Sequence, residues 1–309
     1  MTVAYTVALC THNHEERLRR TLADLAELKP PKALWEFLVI DNGCTDGTTE
    51  LLRRHRWPEG WLVRVVREEK LGLSNARNRA IAEAEGEYLI FMDDDETPDP
   101  DWLCAYERLI REKQPDAFGG RIRVLFEDMR PVWLTDDLLG FLGELNRFAT
   151  VSPLTEPDTS FFGGNFGVRK SACAVVGRFD TMLGRKGSEN TGGEEVDFYR
   201  RLLAAGFKVW WEPDAVIYHR IQAAKLKRRY FLDLHYRQGY MESARRRGAA
   251  SRIPPKYIYG QLLRAIAAAW AQFRVQGRNS TLRMEMNVAY FVGQIIGWAF
   301  GPAARDRRT

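Results

Sequence analysis

Three consecutive carboxylates, Asp93, Asp94 and Asp95, are the strongest chemical feature of the sequence. They directly follow an apolar segment at residues 88–92 that has the composition of a buried strand. Adjacent carboxylates repel one another and are costly to bury without a cation, and their hard oxygen atoms suit Mg²⁺ or Mn²⁺. The run therefore predicts a divalent metal site that also contacts phosphate. The alternative is a solvated acidic turn before the next helix, where negative charge is favourable.

Other residues that could take part in chemistry also stand where apolar segments end. Thr11, His12 and Asn13 follow the first apolar segment of the chain, and Asp41 ends the second. Open α/β sheets bind ligands in a crevice beyond the carboxyl ends of their parallel strands. We therefore expect these side chains and the acidic run to line one shared crevice.

The elements that must hold these residues alternate between short apolar segments and helical patterns. Such alternation is typical of an α/β fold with a mainly parallel sheet covered by helices. Pro98 is predicted to open the helix after the acidic run, because its missing N–H costs little at that position. Residues 126–161 have a looser pattern that predicts loops and short helices. The predicted strands are residues 3–10, 37–40, 61–66, 88–92, 166–169 and 208–211, and further helices are predicted at residues 194–205, 224–247, 255–276 and 281–300.

Charge is distributed unevenly along the chain and indicates two regions. Residues 220–309 hold 18 Lys/Arg and 4 Asp/Glu, a net charge of +14, whereas residues 1–219 carry a net charge of −9. An acidic body with a basic helical tail predicts a boundary near residue 220 and an anionic surface as the partner of the tail. We therefore predict one domain at residues 1–220 and a basic helical region at residues 221–309.

The N-terminal residues and the cysteine spacing predict a cytoplasmic protein. The chain begins with an apolar strand pattern and lacks the basic stretch and long apolar core of a secretory signal. Its four cysteines lie far apart without a C-x-x-C pair, which argues against a thiolate zinc site or a disulfide framework. We expect a protein of a reducing compartment.

The motifs of residues 1–220 form an ordered series that resembles a known family. They are V-A-L-C-T-H-N-H-E-E at 7–16, V-I-D-N-G-C-T-D-G-T at 39–48, G-L-S-N-A-R-N-R-A-I at 72–81, a D-x-D pattern on Asp93 and Asp95, F-G-G-N-F-G-V-R-K at 162–170, V-G-R-F-D at 176–180, G-E-E-V-D-F-Y-R-R-L at 193–202 and P-D-A-V-I-Y-H at 213–219. This series is similar to glycosyltransferase family 2, inverting enzymes with the GT-A fold. The resemblance implies a mixed, mainly parallel sheet, with a nucleotide-sugar donor half at residues 1–97 and an acceptor half at residues 98–220. The sequence departs from the family at Cys44, where Ser is commoner, at Ala80, where Gly is usual, and at Glu195, where Asp is usual.

The resemblance also implies transfer of a sugar from a nucleoside-diphosphate sugar, commonly a UDP-sugar, to a hydroxyl of a glycan or lipid-linked acceptor. Asp41 would then read the nucleobase, or cap the turn that follows it. His12 would stack on the base, or be a plain surface histidine. Arg77 would approach the diphosphate or base, or form an exposed salt bridge on its helix. The other implied donor contacts are Thr11, Asn13, Glu15, Asp93, Asp94, Gly164 and Asn165.

The metal and the general base are implied in the same way. Asp95 would be the main ligand of Mn²⁺ or Mg²⁺, with Asp93 as its partner. His219 could complete the site, because neutral imidazole is a common ligand, or pack on the neighbouring tyrosine. Glu195 would take the proton of the acceptor hydroxyl, and Glu194 is the other candidate. Since successive helical residues point about 100° apart, we expect only one of the two to face the crevice.

Two glycine-containing segments are predicted to lie near the sugar. Gly163-Gly164 would let the backbone approach the donor closely, or form a plain tight turn. Residues 184–193 are rich in glycine, and we expect them to close over the donor and exclude water.

The tail contains an apolar segment at residues 286–301 that is too short to span a bilayer. We expect an interfacial helix on an anionic leaflet, and hence peripheral contact with the inner face of the cell membrane. The alternative is a helix that packs on the catalytic domain or on a second subunit in a homodimer. Cations and aromatic residues at 225–231 and cations at 245–247 would also suit a phosphate backbone, but the sequence has no nucleic-acid-binding motif.

The sequence of the loop after the first predicted strand distinguishes between several classes of nucleotide-binding enzyme. Sugar-phosphate nucleotidyltransferases need a glycine-rich phosphate loop there, and nucleotide dehydrogenases need G-x-G-x-x-G. Residues 10–16 contain no glycine, which argues against both. A catalytically inactive sugar-nucleotide-binding protein stays open as the alternative, although the intact acidic run and Glu195 favour an enzyme.

Overall fold

The chain forms two compact units. The computed structural model describes residues 2–183, 193–246, 253–277 and 282–301. The first unit comprises Met1–Leu125 with Gly143–Arg220, and the second comprises Phe126–Leu142 with Ile221–Thr309.

The first unit is built on one mixed sheet, as expected. The strands within the described residues are β1 (Tyr5–Thr11), β2 (Trp35–Asp41), β3 (Leu62–Arg67), β4 (Tyr88–Asp93), β5 (Glu96–Pro98), β6 (Ala117–Phe126), β7 (Ser152–Pro153), β8 (Phe166–Arg169) and β9 (Val209–Ile221). Their order is β3-β2-β1-β4-β8-β6-β9-β5, with β7 paired to β9. The first four strands are parallel, and β8 runs antiparallel to both β4 and β6.

Burial on both faces explains why β1 and β2 have almost continuous apolar sequences. Alternate side chains of a strand point to opposite faces of the sheet. Val7 and Leu9 accordingly belong to one core cluster, whereas Ala8 and Cys10 belong to the other. The helices of this unit are α1 (Glu15–Asp24), α2 (Thr48–Arg54), α3 (Leu73–Glu83), α4 (Trp102–Lys113), α5 (Lys170–Val176) and α6 (Glu194–Ala204).

The start predicted for the helix after the acidic run was wrong. Pro98 ends β5, where it pairs with Ile217 of β9, and α4 begins four residues later at Trp102. A three-residue strand is too short to show a period, so its pairing with β9 is a tertiary effect. Strand β6 was not predicted either, because Gly119 and Gly120 interrupt its apolar pattern.

The second unit consists mainly of α7 (Arg228–Arg246), α8 (Lys256–Gln276) and α9 (Arg283–Phe300). It also includes residues 126–142, which the predicted boundaries had placed in the acceptor half. Aromatic contacts explain this difference. The ring of Trp133 lies 5.5 Å from that of Phe231, and Phe141 lies 4.7 Å from His235.

Helix α9, which contains the apolar segment of the tail, packs closely on α7. A Cβ atom on Gly293 would overlap the backbone of Tyr236, and one on Gly297 would overlap that of Tyr240. Gly239 of α7 approaches Tyr290 of α9 equally closely. The small residues therefore serve helix packing within this unit. Among the residues that the structure describes, no helix is both long enough and apolar enough to cross a membrane.

Candidate active site

The ends of three neighbouring parallel strands bring the predicted residues to one edge of the sheet. Thr11 at the end of β1 is in register with Asp41 of β2, and Cys10 is in register with Asp93 of β4. Strand β9 reaches the acidic run through β5, where Glu96 pairs with His219. Parallel strands end at the same edge, which is why segments so distant in sequence meet here.

The three carboxylates of the acidic run have different partners. Asp93 lies 3.3 Å from a guanidinium nitrogen of Arg77. Asp95 lies 3.6 Å from Nε2 of His219 and 3.9 Å from Arg17. Mutual repulsion within the run is thus reduced by cationic or protonatable neighbours.

Asp94, which is predicted to lie near the donor, also links β4 to β1 and α1 through hydrogen bonds. The side chain is buried, and the Thr11 hydroxyl donates to its Oδ2 at 2.6 Å. Nδ1 of His14 lies 2.9 Å from the same oxygen, and the Thr21 hydroxyl donates to the Asp94 carbonyl. The hydrogen bond with Asp94 raises the pKa of His14 above its usual value, although burial opposes the shift. Thr11 and Asp94 are therefore hydrogen-bonded to each other, and their contacts with a donor stay predictions.

Asp95 provides a carboxylate that suits Mn²⁺ or Mg²⁺, and the His219 imidazole beside it is a common metal ligand in proteins. Within the described ranges, no three His, Cys, Asp or Glu side chains are grouped so that they could hold a metal ion. Asp93, the predicted partner ligand, has one carboxylate oxygen 3.3 Å from Arg77, and its role at the metal stays a prediction. Two protein ligands fit an ion that completes its coordination with phosphate oxygens and water.

Arg77 is a buried link between two parts of the site rather than an exposed helix salt bridge. Its side chain is 2% exposed, and it donates to Glu194 at 2.9 Å as well as approaching Asp93. The guanidinium also lies over the rings of Phe166 and Phe179. Burial disfavours its charge, but the surrounding carboxylates outweigh burial and raise the pKa of Arg77.

Glu194 and Glu195 differ in environment at the start of α6. Glu194 is buried against Arg77, and burial raises its pKa despite that cation. Glu195 is only partly buried. The two side chains point about 100° apart on the helix, so the ion pair of Glu194 leaves Glu195 as the accessible carboxylate.

Glu96 is a site residue that the sequence analysis missed. It is buried, and its Oε2 accepts a hydrogen bond from the Asp93 backbone N–H at 3.0 Å. Burial and the adjacent Asp93 carboxylate hold the pKa of Glu96 well above its usual range. Its position directly after the acidic run was the signal that the sequence offered. Only the pairing of β5 with β9 directs the Glu96 side chain towards the site.

The glycine pair contacts the same charged side chains. A Cβ atom on Gly163 would overlap the Arg77 guanidinium, and one on Gly164 would overlap the Glu96 carboxylate. The next residue, Asn165, is predicted to contact the donor, and its side chain is buried. Its side-chain oxygen accepts from Trp102 and Tyr106, and its amide nitrogen donates to two backbone carbonyls. Its hydrogen-bonding capacity is fully used in the core.

Asp41 is buried and both of its carboxylate oxygens accept hydrogen bonds. The backbone N–H of Cys44 donates to Oδ1 at 2.9 Å, and Thr49 donates to Oδ2 at 2.7 Å. Arg67 also lies 3.2 Å from Oδ2. Burial works to raise the pKa of Asp41, but these hydrogen bonds and the cation outweigh it and lower the pKa. Asp41 is therefore held ionised, and its contact with Cys44 shows that it does cap the following turn.

The loop after β1 contributes three more predicted residues. His12 Nδ1 lies 2.7 Å from the Asn42 carbonyl oxygen, with its ring partly exposed. Asn13 has a left-handed backbone, and its side-chain oxygen accepts from the Thr45 N–H at 2.7 Å. Glu15 begins α1 and pairs with Arg19 one turn later. Of these, the partly exposed ring of His12 is best suited to stack on a base.

The predicted closing segment at 184–193 lies outside the described residues except for Gly193. The geometry of the site therefore rests on the residues before and after it.

The sequence of this chain matches the profile of a known protein family. The profile of the family described as Glycosyl transferase family 2 matches residues 6–177. The match covers more than half of the chain and includes β1 to β4, the acidic run and β8. The chain belongs to glycosyltransferase family 2.

Individual relatives of this glycosyltransferase agree with the family match. It is 25% identical over 240 residues to the succinoglycan biosynthesis protein ExoM of Rhizobium meliloti, which covers 77% of this chain and 74% of ExoM. The mannosyltransferase PcManGT from Pyrobaculum calidifontis, solved with GDP-Man and Mn²⁺, has a TM-score of 0.60 at 18% identity and covers 97% of this chain and 88% of that chain. TarS 1-349 from S. aureus, solved with UDP-GlcNAc, has a TM-score of 0.55 at 18% identity and covers 76% of this chain and 65% of that chain. These likenesses confirm the predicted GT-A fold.

Proposed function

We propose that this glycosyltransferase transfers a sugar, with inversion, from a nucleoside-diphosphate sugar to a hydroxyl of a glycan or lipid-linked acceptor. The observation that carries the proposal is the pairing of Asp95 with His219 beside the Arg77–Glu194 link. The two pairs support a site in which a phosphate-bound cation lies close to a base at the start of α6. The bound nucleotide sugars of PcManGT and TarS support a donor of this class.

The donor diphosphate is proposed to lie at Asp95 and His219 together with Mn²⁺ or Mg²⁺. A divalent cation held there would act as a Lewis acid for the negative charge that develops on the departing diphosphate. The Mn²⁺ of the PcManGT complex supports this assignment. Asp93 is proposed to orient Arg77 and to contact the ribose rather than to bind the metal.

The nucleobase is proposed to be uracil and to lie beside Asp41 and His12. The ionised carboxylate of Asp41 can accept a further hydrogen bond on a free lone pair, and the imidazole of His12 can stack. The UDP-GlcNAc complex of TarS favours uracil, whereas the GDP-Man complex of PcManGT shows that the fold also accepts guanine. Comparing UDP-sugars with GDP-sugars as donors therefore tests the preference for uracil.

Glu195 is proposed to be the general base. Its carboxylate takes the proton of the acceptor hydroxyl while the acceptor oxygen forms a bond to the anomeric carbon. The bond from that carbon to the phosphate oxygen breaks at the opposite face, and the nucleoside diphosphate leaves with the electron pair. Because the new bond forms on the face opposite the breaking bond in a single displacement, the configuration of the anomeric carbon inverts. The buried ion pair of Glu194 makes that residue a poorer candidate.

The test is release of nucleoside diphosphate from a panel of UDP- and GDP-sugars, with Mn²⁺, with Mg²⁺ and with EDTA. We expect release from UDP-sugars that requires a divalent cation and increases with a suitable acceptor. Release from GDP-sugars alone would contradict the base assignment. Binding of a nucleotide sugar without release under any condition would support the alternative, an inactive sugar-nucleotide-binding protein.

A further inference from the structure

Helix α8 exposes a continuous apolar stripe. Tyr259, Leu263, Ile266, Trp270 and Phe273 are all exposed, and Trp270 is 63% exposed. They recur at intervals of four and three residues, so they lie on one face of the helix. The buried residues of α8, Ile258 and Ala265, lie on an adjacent face. The stripe is therefore solvent-facing although the helix is anchored in its unit.

The charge along α8 has one sign only. The helix contains Lys256, Arg264 and Arg274, and it has no acidic residue. At about 100° per residue, Lys256 and Arg274 both project about 60° to the same side of the stripe centre. This is the side away from Ile258 and Ala265. The stripe is thus bordered by cations at both ends of the helix, all of which are exposed.

Helix α9, by contrast, packs within the unit along much of its length, although Val292 and Phe300 are exposed. Gly293 and Gly297 bring α9 against the backbone of α7, and Met286 and Gln294 are buried. The interfacial role that the sequence suggested for residues 286–301 therefore suits α8 better. An exposed face of Trp, Phe, Leu and Ile with bordering Lys and Arg is the pattern of helices that lie in an anionic membrane surface.

We propose that the Tyr259–Leu263–Ile266–Trp270–Phe273 face of α8 binds the surface of an anionic lipid bilayer, with Lys256 and Arg274 contacting lipid headgroups. Residues 220–309 carry a net charge of +14, which is complementary to the negative charge of an anionic lipid surface and favours lipid as the partner. Aromatic rings with polar edges are also favoured at the level of the headgroups. This binding is independent of the proposed transfer reaction, because it involves neither the acidic run nor α6.

The experiment is flotation of the full-length protein with vesicles of phosphatidylglycerol and phosphatidylcholine, and with phosphatidylcholine alone. We expect binding to the anionic vesicles at low salt and none to the neutral ones. The double variant Leu263→Gln/Trp270→Gln should weaken the partition by at least ~10-fold, since it removes apolar area from the interface. Lys256→Gln/Arg274→Gln should weaken it ~10-fold at low salt, and this difference should shrink at high salt.

A matched control is available on the same helix. Tyr257 and Val275 are 56% and 83% exposed but lie about 160° from the stripe centre, so Tyr257→Gln/Val275→Gln should bind as the wild type does. Failure of the wild type to float with anionic vesicles would overturn the proposal, as would normal flotation of the stripe variant. Sedimentation velocity tests the other candidate partner of this face, which is a second copy of the chain. A dimer that only the stripe variant dissociates, without vesicle binding, would overturn the proposal in favour of a second copy of the chain.

Discussion

The guanidinium of Arg77 donates to the carboxylate of Glu194 at 2.9 Å, although the two residues are 117 positions apart in the sequence. The same guanidinium lies 3.3 Å from Asp93. Arg77 therefore connects the start of α6, which carries the proposed base Glu195, to the strand that ends in the acidic run. The proposed base is thus held near the end of β4 through this buried link.

Loss of the cation should destabilise the first unit. In Arg77→Met, the carboxylate of Glu194 stays buried without its partner, and we expect the free energy of unfolding to fall by about 3–5 kcal/mol. Urea unfolding measures this change. The double variant Arg77→Met/Glu194→Gln removes the unpaired charge and should recover a large part of the loss. Equal stability of the two variants would contradict a buried ion pair.

Removal of the proposed base should separate turnover from donor binding. We expect Glu195→Gln to lower kcat by ~10²–10⁴-fold, because the amide cannot take the acceptor proton. The affinity for UDP, measured by calorimetry, should stay unchanged. Glu194→Gln is the matched comparison, and it should affect thermal stability more than kcat. The reverse pattern would assign the base to Glu194.

The proposed metal ligands should control binding of the nucleotide without any turnover. Ligands bound to the native state raise its stability, so UDP with Mn²⁺ should raise the Tm of the wild type more than UDP with EDTA. In Asp95→Asn and His219→Ala we expect the Mn²⁺-dependent part of the shift to disappear. The exposed Asp214 belongs to the same strand as His219, and Asp214→Asn should respond as the wild type does. A retained Mn²⁺ effect in Asp95→Asn would exclude that residue as a ligand.

The His14–Asp94 pair should make stability depend on pH. Asp94 raises the pKa of His14 in the folded state. The pair therefore contributes its full share to the free energy of unfolding when the pH is below the unfolded pKa of 6.5. The contribution is lost as the pH rises through the higher folded pKa. The stability difference between wild type and His14→Gln should therefore be larger at low pH, by less than ~1 kcal/mol because the imidazole is 38% exposed. Urea unfolding at a series of pH values between pH 5 and pH 9 tests the sign, and a difference that grows with pH would refute it.

The sequence by itself determined the parallel half of the sheet and the edge at which ligands bind. Strands β1, β2 and β4 are buried on both faces, so their apolar runs and the polar residues at their ends are visible without a structure. Asp41, Asp93 and Asp95 could be placed at one edge for that reason. The ordered motifs made the family recognisable, and the profile match confirmed it.

Only the tertiary structure decided what each polar side chain contacts. The hydrogen bonds of Asp94 with Thr11 and of Asn165 with Trp102 follow no pattern in the sequence, and Glu96 faces the site because β5 pairs with β9. Likewise, α9 has the more apolar sequence, yet α8 carries the exposed face because α7 covers α9. The reason is physical: periodicity records whether a residue is buried, while hydrogen-bond partners are set by segments that are distant in sequence and meet only in the fold.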